Sequence, residues 1–354
     1  MTDRVPAAEI QLTGLHSLRG ANFWSQRPVT RLDLVVGKYD EISSADVPGV
    51  LEALRRAMPG LIEHRCSIGQ RGGFLQRLAR GTYAPHIIEH VALELQVMAG
   101  LEVGYGKTRG GDVPGEYTVV FEHGHEQAGL RAGALALEIV QRAFGGTLEG
   151  VEYAVREVRA LLETPDAPPL HQKVLCGITG GGPRHETREE MLRRGLSDAE
   201  LVVDISPAYL LEVGLPYARS EMAIILDADL SDVPDRYRET EAAQRLVGVL
   251  ADCVRRDGIV IVPAKEWEIQ DYAREQRCRV AIFATDDDVT VRDQRVACAV
   301  AFVRDGRIVL QTYERTVDGG PVRDGVSVAA QVASELAMFA IQEMDEPTVR
   351  TATA

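Results

Sequence analysis

The chain has no apolar run approaching the roughly 18 residues a membrane-spanning helix needs, so insertion in a bilayer is not expected. It has no CxxC pair either. Its five cysteines, Cys66, Cys176, Cys253, Cys278 and Cys298, are odd in number and widely spaced, which excludes a disulfide framework or a zinc ribbon. Positive charge is in deficit, with 39 Lys and Arg against 53 Asp and Glu, a net charge of -14. That balance disfavours nucleic acid and anionic membrane surfaces and favours a cationic or zwitterionic partner. The opening MTDRVPAAEIQLTG lacks the basic region and apolar stretch of a secretory signal, so the expected location is the cytoplasm.

What is present is the composition of a folded protein, 45% hydrophobic and 26% charged, in 354 residues. That length exceeds what one core usually serves, so two domains are expected. Residues 163–170, ETPDAPPL, hold three prolines and no periodic apolar pattern and read as the linker between domains at 1–162 and 171–354. The acidity lies mainly in the second half: 17 basic and 20 acidic residues up to position 165, 22 and 33 beyond it.

In the first half RLDLVVG (31–37) reads as a strand and Val47 to Met58 as a helix. A second helix is predicted from Ala84, with Pro85 in its first turn, to a stop at Gly100. EYTVVFE (116–122) alternates as a strand, and Glu126 to Phe144 has helical spacing. These elements predict an α+β domain. The second half offers VLCGIT, LVVDIS, AIILDA, GIVIVPA and RVAIFAT, near-continuous apolar runs that suit a mostly parallel sheet buried on both faces. Asp305-Gly306 inside ACAVAFVRDGRIVLQTY predicts a hairpin.

The sharpest chemical signal is His86-Ile87-Ile88-Glu89-His90 on the second predicted helix. Residues four apart share a helix face, so His86 and His90 can bring two imidazoles to one cation, zinc being the metal expected. Glu89 is placed to accept a proton from metal-bound water, as in inverted zinc-peptidase motifs. A buried hydrogen-bond network is the competing reading of the same residues. Glu126 is the first choice for a third ligand, with Cys66, Glu122, His123, His125 and Glu94 as alternatives.

Three glycine-rich stretches follow. CSIGQRGGF (66–74) supplies Arg71, Gly72 and Gly73 as a close-approach loop over a substrate, or as a plain turn. GYGKTRGG (104–111) lacks the P-loop spacing and reads as a mobile substrate-contacting loop carrying Lys107 and Arg109. GITGGG (177–182) sits after a strand and before a helix, where a nucleotide loop belongs. Its lysine is missing and Glu186, Glu189 and Glu190 load the helix start, so a structural turn is expected there and no nucleotide-binding residue is assigned.

Leu18 to Trp24 (LRGANFW), Arg31 to Leu34, Glu63-His64, Cys66-Ser67, Gly72 to Leu75, HIIEHVALELQ (86–96), Gly104 to Arg109 and Tyr117 to Gly129 together resemble the N-terminal domain of the cyanophycin synthetase family. The likeness covers residues 10 to 145. More weakly, ITGGG, AIILDADLSDVP, GIVIVPAKE and VSVAAQVASELAMFAIQ are similar to the central domain of that family's Mur-ligase-like module. The family's ATP-grasp module has no counterpart between the two halves. Against the family pattern the P-loop lysine is missing, the strand-end histidine position falls in DADLSDVP, and a magnesium-supporting lysine is replaced near Gln244-Arg245. The second half therefore reads as a degenerate Mur-ligase-like α/β domain that takes no ATP.

The resemblance implies an N-terminal domain that hydrolyses polymer into primers. Together with the HxxEH motif it sets the expectation of a zinc-dependent amide hydrolase acting on cyanophycin-like polymer or arginine-containing peptides. His86, His90 and Glu126 would hold the metal, and Glu89 would be the general base. A non-catalytic polymer- or partner-binding protein is the alternative. The acidic second domain is expected to hold arginine-bearing substrate or to mediate homo-oligomer formation.

Overall fold

The computed structural model describes residues 9–168, 170–196, 201–287 and 296–345. They form two compact units. One takes in the described residues up to Gly20 and from Trp24 to Pro168, the other Ala21–Phe23 and the described residues from Leu170 on.

The first unit is built on a four-stranded antiparallel sheet of β1 (Gln11–Leu18), β2 (Val29–Val35), β3 (Gly106–Gly110) and β4 (Glu116–Glu122), in the order β1-β2-β4-β3. Its helices are α1 (Val50–Ala57), α2 (Gly73–Arg80), α3 (Ala84–Ala99), α4 (Glu126–Phe144) and α5 (Glu152–Leu161). The central one is α3, apolar nearly all round and buried over most of its length. Pro85 sits in its first turn, where no N–H is needed, and Gly100 ends it at φ 109°, a left-handed conformation that costs glycine little. Ile87, Ile88, Val91 and Leu95 are wholly buried in the main core. Each such side chain contributes roughly 1.5–3 kcal/mol by leaving water. That packing fixes the rotation of α3 and with it the direction of His86, Glu89 and His90.

One expectation is corrected here. The segment holding Lys107 and Arg109 is β3, the edge strand, and not an irregular loop. The glycines that suggest a loop in the sequence are accommodated because β4 supplies a full ladder of partners.

In the second unit β5 (Val174–Thr179), β6 (Val202–Asp204), β7 (Ser220–Ile225), β8 (Val254–Pro263), β9 (Arg279–Phe283), β10 (Ala299–Arg304), β11 (Arg307–Gln311) and β12 (Thr316–Pro321) form one sheet. Its order is β12-β11-β10-β9-β8-β7-β5-β6. All pairs from β6 to β10 are parallel, and β10-β11-β12 is an antiparallel meander. Asp305 and Gly306 both take positive φ, 49° and 71°, as the two-residue turn between β10 and β11 requires. Around the sheet lie α6 (Arg184–Arg193), α7 (Pro207–Val213), α8 (Thr240–Cys253), α9 (Trp267–Glu275) and α10 (Val328–Asp345). The chain is thus mixed α/β with a mostly parallel eight-stranded sheet. Ala21–Phe23 are held in this unit: Leu215 N–H donates to Ala21 O at 2.8 Å, and Arg245 Nε donates to Phe23 O at 2.9 Å. No helix of the described residues is long and apolar enough to cross a membrane.

Candidate functional site

The side chains of His86 and His90 on α3 meet a short turn at Cys66–Ile68 that precedes α2, while Glu89 turns to Thr108 on β3. Cys66 holds a left-handed backbone conformation, φ 52°, unusual for a residue with a Cβ and a form of strain that collects at functional positions. Its Sγ lies 3.3 Å from His86 Nε2, and one ligand atom each from Cys66, His86 and His90 falls within 4.8 Å of the others. In a tetrahedral zinc site with Zn–S near 2.3 Å and Zn–N near 2.0 Å, sulfur and nitrogen stand about 3.5 Å apart. The donor set is one cysteine sulfur and two imidazoles, which zinc favours.

Outer partners orient each donor. His86 Nδ1 is 2.9 Å from Thr82 Oγ1, and Phe74 stacks on His90 with ring centroids 4.0 Å apart. His90 Nδ1 is 2.9 Å from His64 Nδ1, whose Nε2 is 3.0 Å from Glu94 Oε2. A carboxylate at Glu94 accepts from His64 Nε2–H, which leaves His64 Nδ1 as an acceptor for His90 Nδ1–H. His90 Nε2 then carries a bare lone pair. That atom is buried and has no hydrogen-bond partner, a costly state unless a ligand takes it up.

Burial dominates the electrostatics. It lowers the His86 imidazole to about 4, helped by Arg77, and the His90 imidazole to about 2, helped by His86 and His64, so both favour the neutral, ligating form. Glu89 is raised by burial to about 7, against the opposing effect of a hydrogen bond from Thr108 Oγ1 at 2.6 Å.

A cavity of about 910 Å³ opens beside this cluster. It is bordered by the segment from Gly60 to Ser67, one side of α3, and Gly104 to Thr108. Its lining carries charge of both signs: Glu63, Glu89 and Glu94 against Arg65, Arg77 and Lys107. Each carboxylate is committed within the chain, Glu63 to Arg71, Glu89 to Thr108 and Glu94 to His64. Arg65 and Arg77 are exposed and make no ion pair among the described residues.

Several sequence expectations are corrected. Glu126 is not in the cluster; it forms a two-pronged ion pair with Arg19, with Nε to Oε2 at 2.6 Å and Nη2 to Oε1 at 3.1 Å, and its N–H binds Asp166. Cys66 stands where Glu126 was expected, because α4 begins beyond β4 while the Cys66 turn packs against α2. Glu122 is held by Arg27 and by the N–H groups of Gly104 and Tyr105. His123 meets Thr30, and His125 caps α4 and contacts Thr164 O. Arg71 is spent on Glu63, Gly72 caps α2 at φ 78°, and a Cβ on Gly73 would lie 2.0 Å from Arg65 O. These three positions hold the turn rather than face a ligand. Lys107 does line the cavity, its ammonium 6.0 Å from the Trp24 ring centroid; Arg109 does not line it.

The glycine loop of the second unit is occupied by the chain itself. Gly181 N–H donates to Asp227 Oδ1 at 2.6 Å, Gly182 also donates to Asp227, and Arg184 Nη1 donates to Gly180 O. A carboxylate from the end of β7 takes the N–H groups that a phosphate would use. His64, Thr82, Thr108, Arg65, Arg77 and Asp227 were not assigned such roles from the sequence. The His64 pairing with Cys66-Ser67 in one short stretch was the available signal for the first of them.

Residues 31–144 match the family described as cyanophycin synthase-like N-terminal domain. Cyanophycin synthetase of Synechocystis sp. is 43% identical over 152 residues, 42% of this chain and 17% of that protein. Its counterpart in Geminocystis herdmanii is 46% identical over 125 residues, 35% of this chain and 14% of that one. The chain thus spans less than a fifth of the length of these curated relatives. Among solved structures, MurF from Acinetobacter baumannii is 14% identical with a TM-score of 0.32, covering 48% of this chain and 43% of the other. MurF ligase from Thermotoga maritima in complex with ADP is 9% identical with a TM-score of 0.31, covering 50% and 47%. The relatives are named for synthesis, which overturns the expectation of a metal-dependent amide hydrolase and, with it, the general-base role given to Glu89.

Proposed function

We propose that the chain serves the synthesis of an Asp/Arg polymer of the cyanophycin type, its N-terminal unit holding the peptide that the synthetic chemistry extends. The supporting observation is the cavity of both charge signs beside the Cys66, His86 and His90 cluster, in the part of the chain that matches the cyanophycin synthase-like domain. An Asp/Arg peptide offers guanidinium and carboxylate groups together, and the lining carries side chains of both signs, with Arg65 and Arg77 uncommitted and able to meet its carboxylates.

Zinc is the metal these donors suit, on the strength of His90 Nε2, which has no hydrogen-bond partner, and of the Cys66 sulfur 3.3 Å from His86 Nε2. When bound it supplies a Lewis-acidic point for a carbonyl or carboxylate oxygen. The chain's own groups do the rest: Glu94 and His64 fix the His90 ring, Thr82 fixes His86, and Thr108 holds Glu89 at the cavity wall. The second unit takes no ATP in this reading, because Asp227 already fills the glycine loop.

The test is fluorescence anisotropy with a labelled eight-residue peptide of alternating Asp and Arg. Val97, an exposed lining residue, gives a variant that narrows the cavity without touching the core. Binding by the parent chain, weakened in Val97→Trp, supports the reading. Equal binding by both, or a preference for an oligo-glycine control, overturns it.

A further inference from the structure

The wall of the cavity formed by Gly104 to Thr108 includes a sheet edge, since among the described residues β3 is the last strand and pairs only with β4. Which of its backbone groups are free follows from the register. Glu122 N–H donates to Tyr105 O and Gly111 N–H to Glu116 O, so the hydrogen-bonded pairs fall at Tyr105, Lys107, Arg109 and Gly111. The N–H and C=O groups of Gly106, Thr108 and Gly110 point the other way, and among the described residues they have no backbone partner.

Unpaired strand edges invite a further strand and are usually blunted by proline, a bulge or a guarding lysine. Here proline and bulge are missing from β3, and the Lys107 ammonium lies over Trp24. A Cβ at Gly106 would meet the Glu89 side chain at 2.7 Å, so glycine there lets α3 approach the strand, while the space around Gly110 is open. Such an edge recognises any extended peptide by its main chain, with neighbouring side chains adding selectivity. In this cavity the uncommitted charges are Arg65 and Arg77, since the lining carboxylates all have partners within the chain. The occupant that complements them is a peptide with carboxylates along one side.

We propose that the peptide docks as a fifth strand on the free edge of β3, its backbone bonded to Gly106 and Thr108 and its carboxylates meeting Arg65 and Arg77. The proposal rests on the reading that this cavity holds an Asp/Arg peptide and adds the mode of binding. In an added strand only alternate residues present their N–H groups to β3, and in a linear probe of alternating Asp and Arg these all belong to one residue type.

The full chain is titrated with three synthetic eight-residue Asp/Arg peptides: unmodified, methylated on the backbone nitrogens of the Asp residues, and methylated on those of the Arg residues. Strand addition predicts that one methylated peptide binds at least about tenfold more weakly while the other binds like the parent, because only one set of N–H groups is used. Arg65→Ala combined with Arg77→Ala should weaken the unmodified peptide by a similar factor. Equal binding of all three peptides overturns strand addition and leaves the peptide-holding reading standing. Failure of the unmodified peptide to bind overturns both. The protein's fold is not at stake, since the modification is on the ligand.

Discussion

His90 shows how much one side chain can be fixed by others. Its Nδ1 is tied through His64 to Glu94, its face is covered by Phe74, and Nε2 is left without a hydrogen bond, with Glu89 Oε1 4.0 Å away. Metal analysis of the purified chain should find close to one zinc per chain, lost in Cys66→Ser and in His90→Ala; retention of metal in both variants would exclude this donor set. The same burial makes stability depend on pH once metal is removed by a chelator. His86 and His123, each lowered to about 4 chiefly by burial, and His90, lowered to about 2, contribute stability above their ordinary value of 6.5 that is lost as pH falls toward 4. Glu89 acts in the opposite sense. Raised from 4.5 to about 7, it contributes stability below its ordinary value that is lost as pH rises through 7. Glu89→Gln should therefore stabilise the metal-free chain at pH 8 by up to about 3 kcal/mol and have little effect at pH 5, measured by urea unfolding. An equal effect at both values would mean that the carboxyl does not titrate in this window.

At the scale of elements, α3, α4 and β4 are legible in the sequence because each has a clear apolar period and a clear stop. The hairpin at Asp305-Gly306 is legible because the turn needs two positive φ angles and the sequence supplies residues that take them. β3 was not, since GKTRG is short and glycine-rich and becomes a strand only through pairing with β4. The His86 and His90 pair could be read from i, i+4 spacing alone, whereas Cys66 and His64 reach the site from turns 20 and 26 residues away. No local pattern decides among Glu126, Glu122 and Cys66. The contact between the Cys66 turn and α2 is also where a small change should matter. Gly73 opens α2 directly beneath the Arg65 carbonyl, and a Cβ there would meet a backbone oxygen at 2.0 Å. Gly73→Ala is expected to cost about 1–3 kcal/mol and to displace the turn that carries Cys66, so zinc affinity should fall with it. Unchanged melting and unchanged metal affinity would show that the turn yields freely.

For the whole molecule, net charge and local chemistry give different information. A charge of -14 points to cationic or zwitterionic partners, yet the uncommitted charges at the cavity are the cations Arg65 and Arg77. Long-range field and local recognition thus select together for a ligand carrying both signs. The second unit keeps a parallel sheet and a glycine turn, but Asp227 fills that turn in a half that carries 33 acidic residues against 22 basic. Calorimetric titration with magnesium-ATP should show no binding at physiological concentration, and micromolar affinity would refute the self-occupied loop. The central claim is that the first unit holds an Asp/Arg peptide in the cavity beside α3. Hydrogen exchange on the full chain, with and without the eight-residue Asp/Arg peptide, tests it most directly. Exchange should slow in residues 60–67 and 104–110 and stay unchanged in 174–195. Protection confined to the second unit, or none in the two cavity segments at saturating peptide, would contradict it.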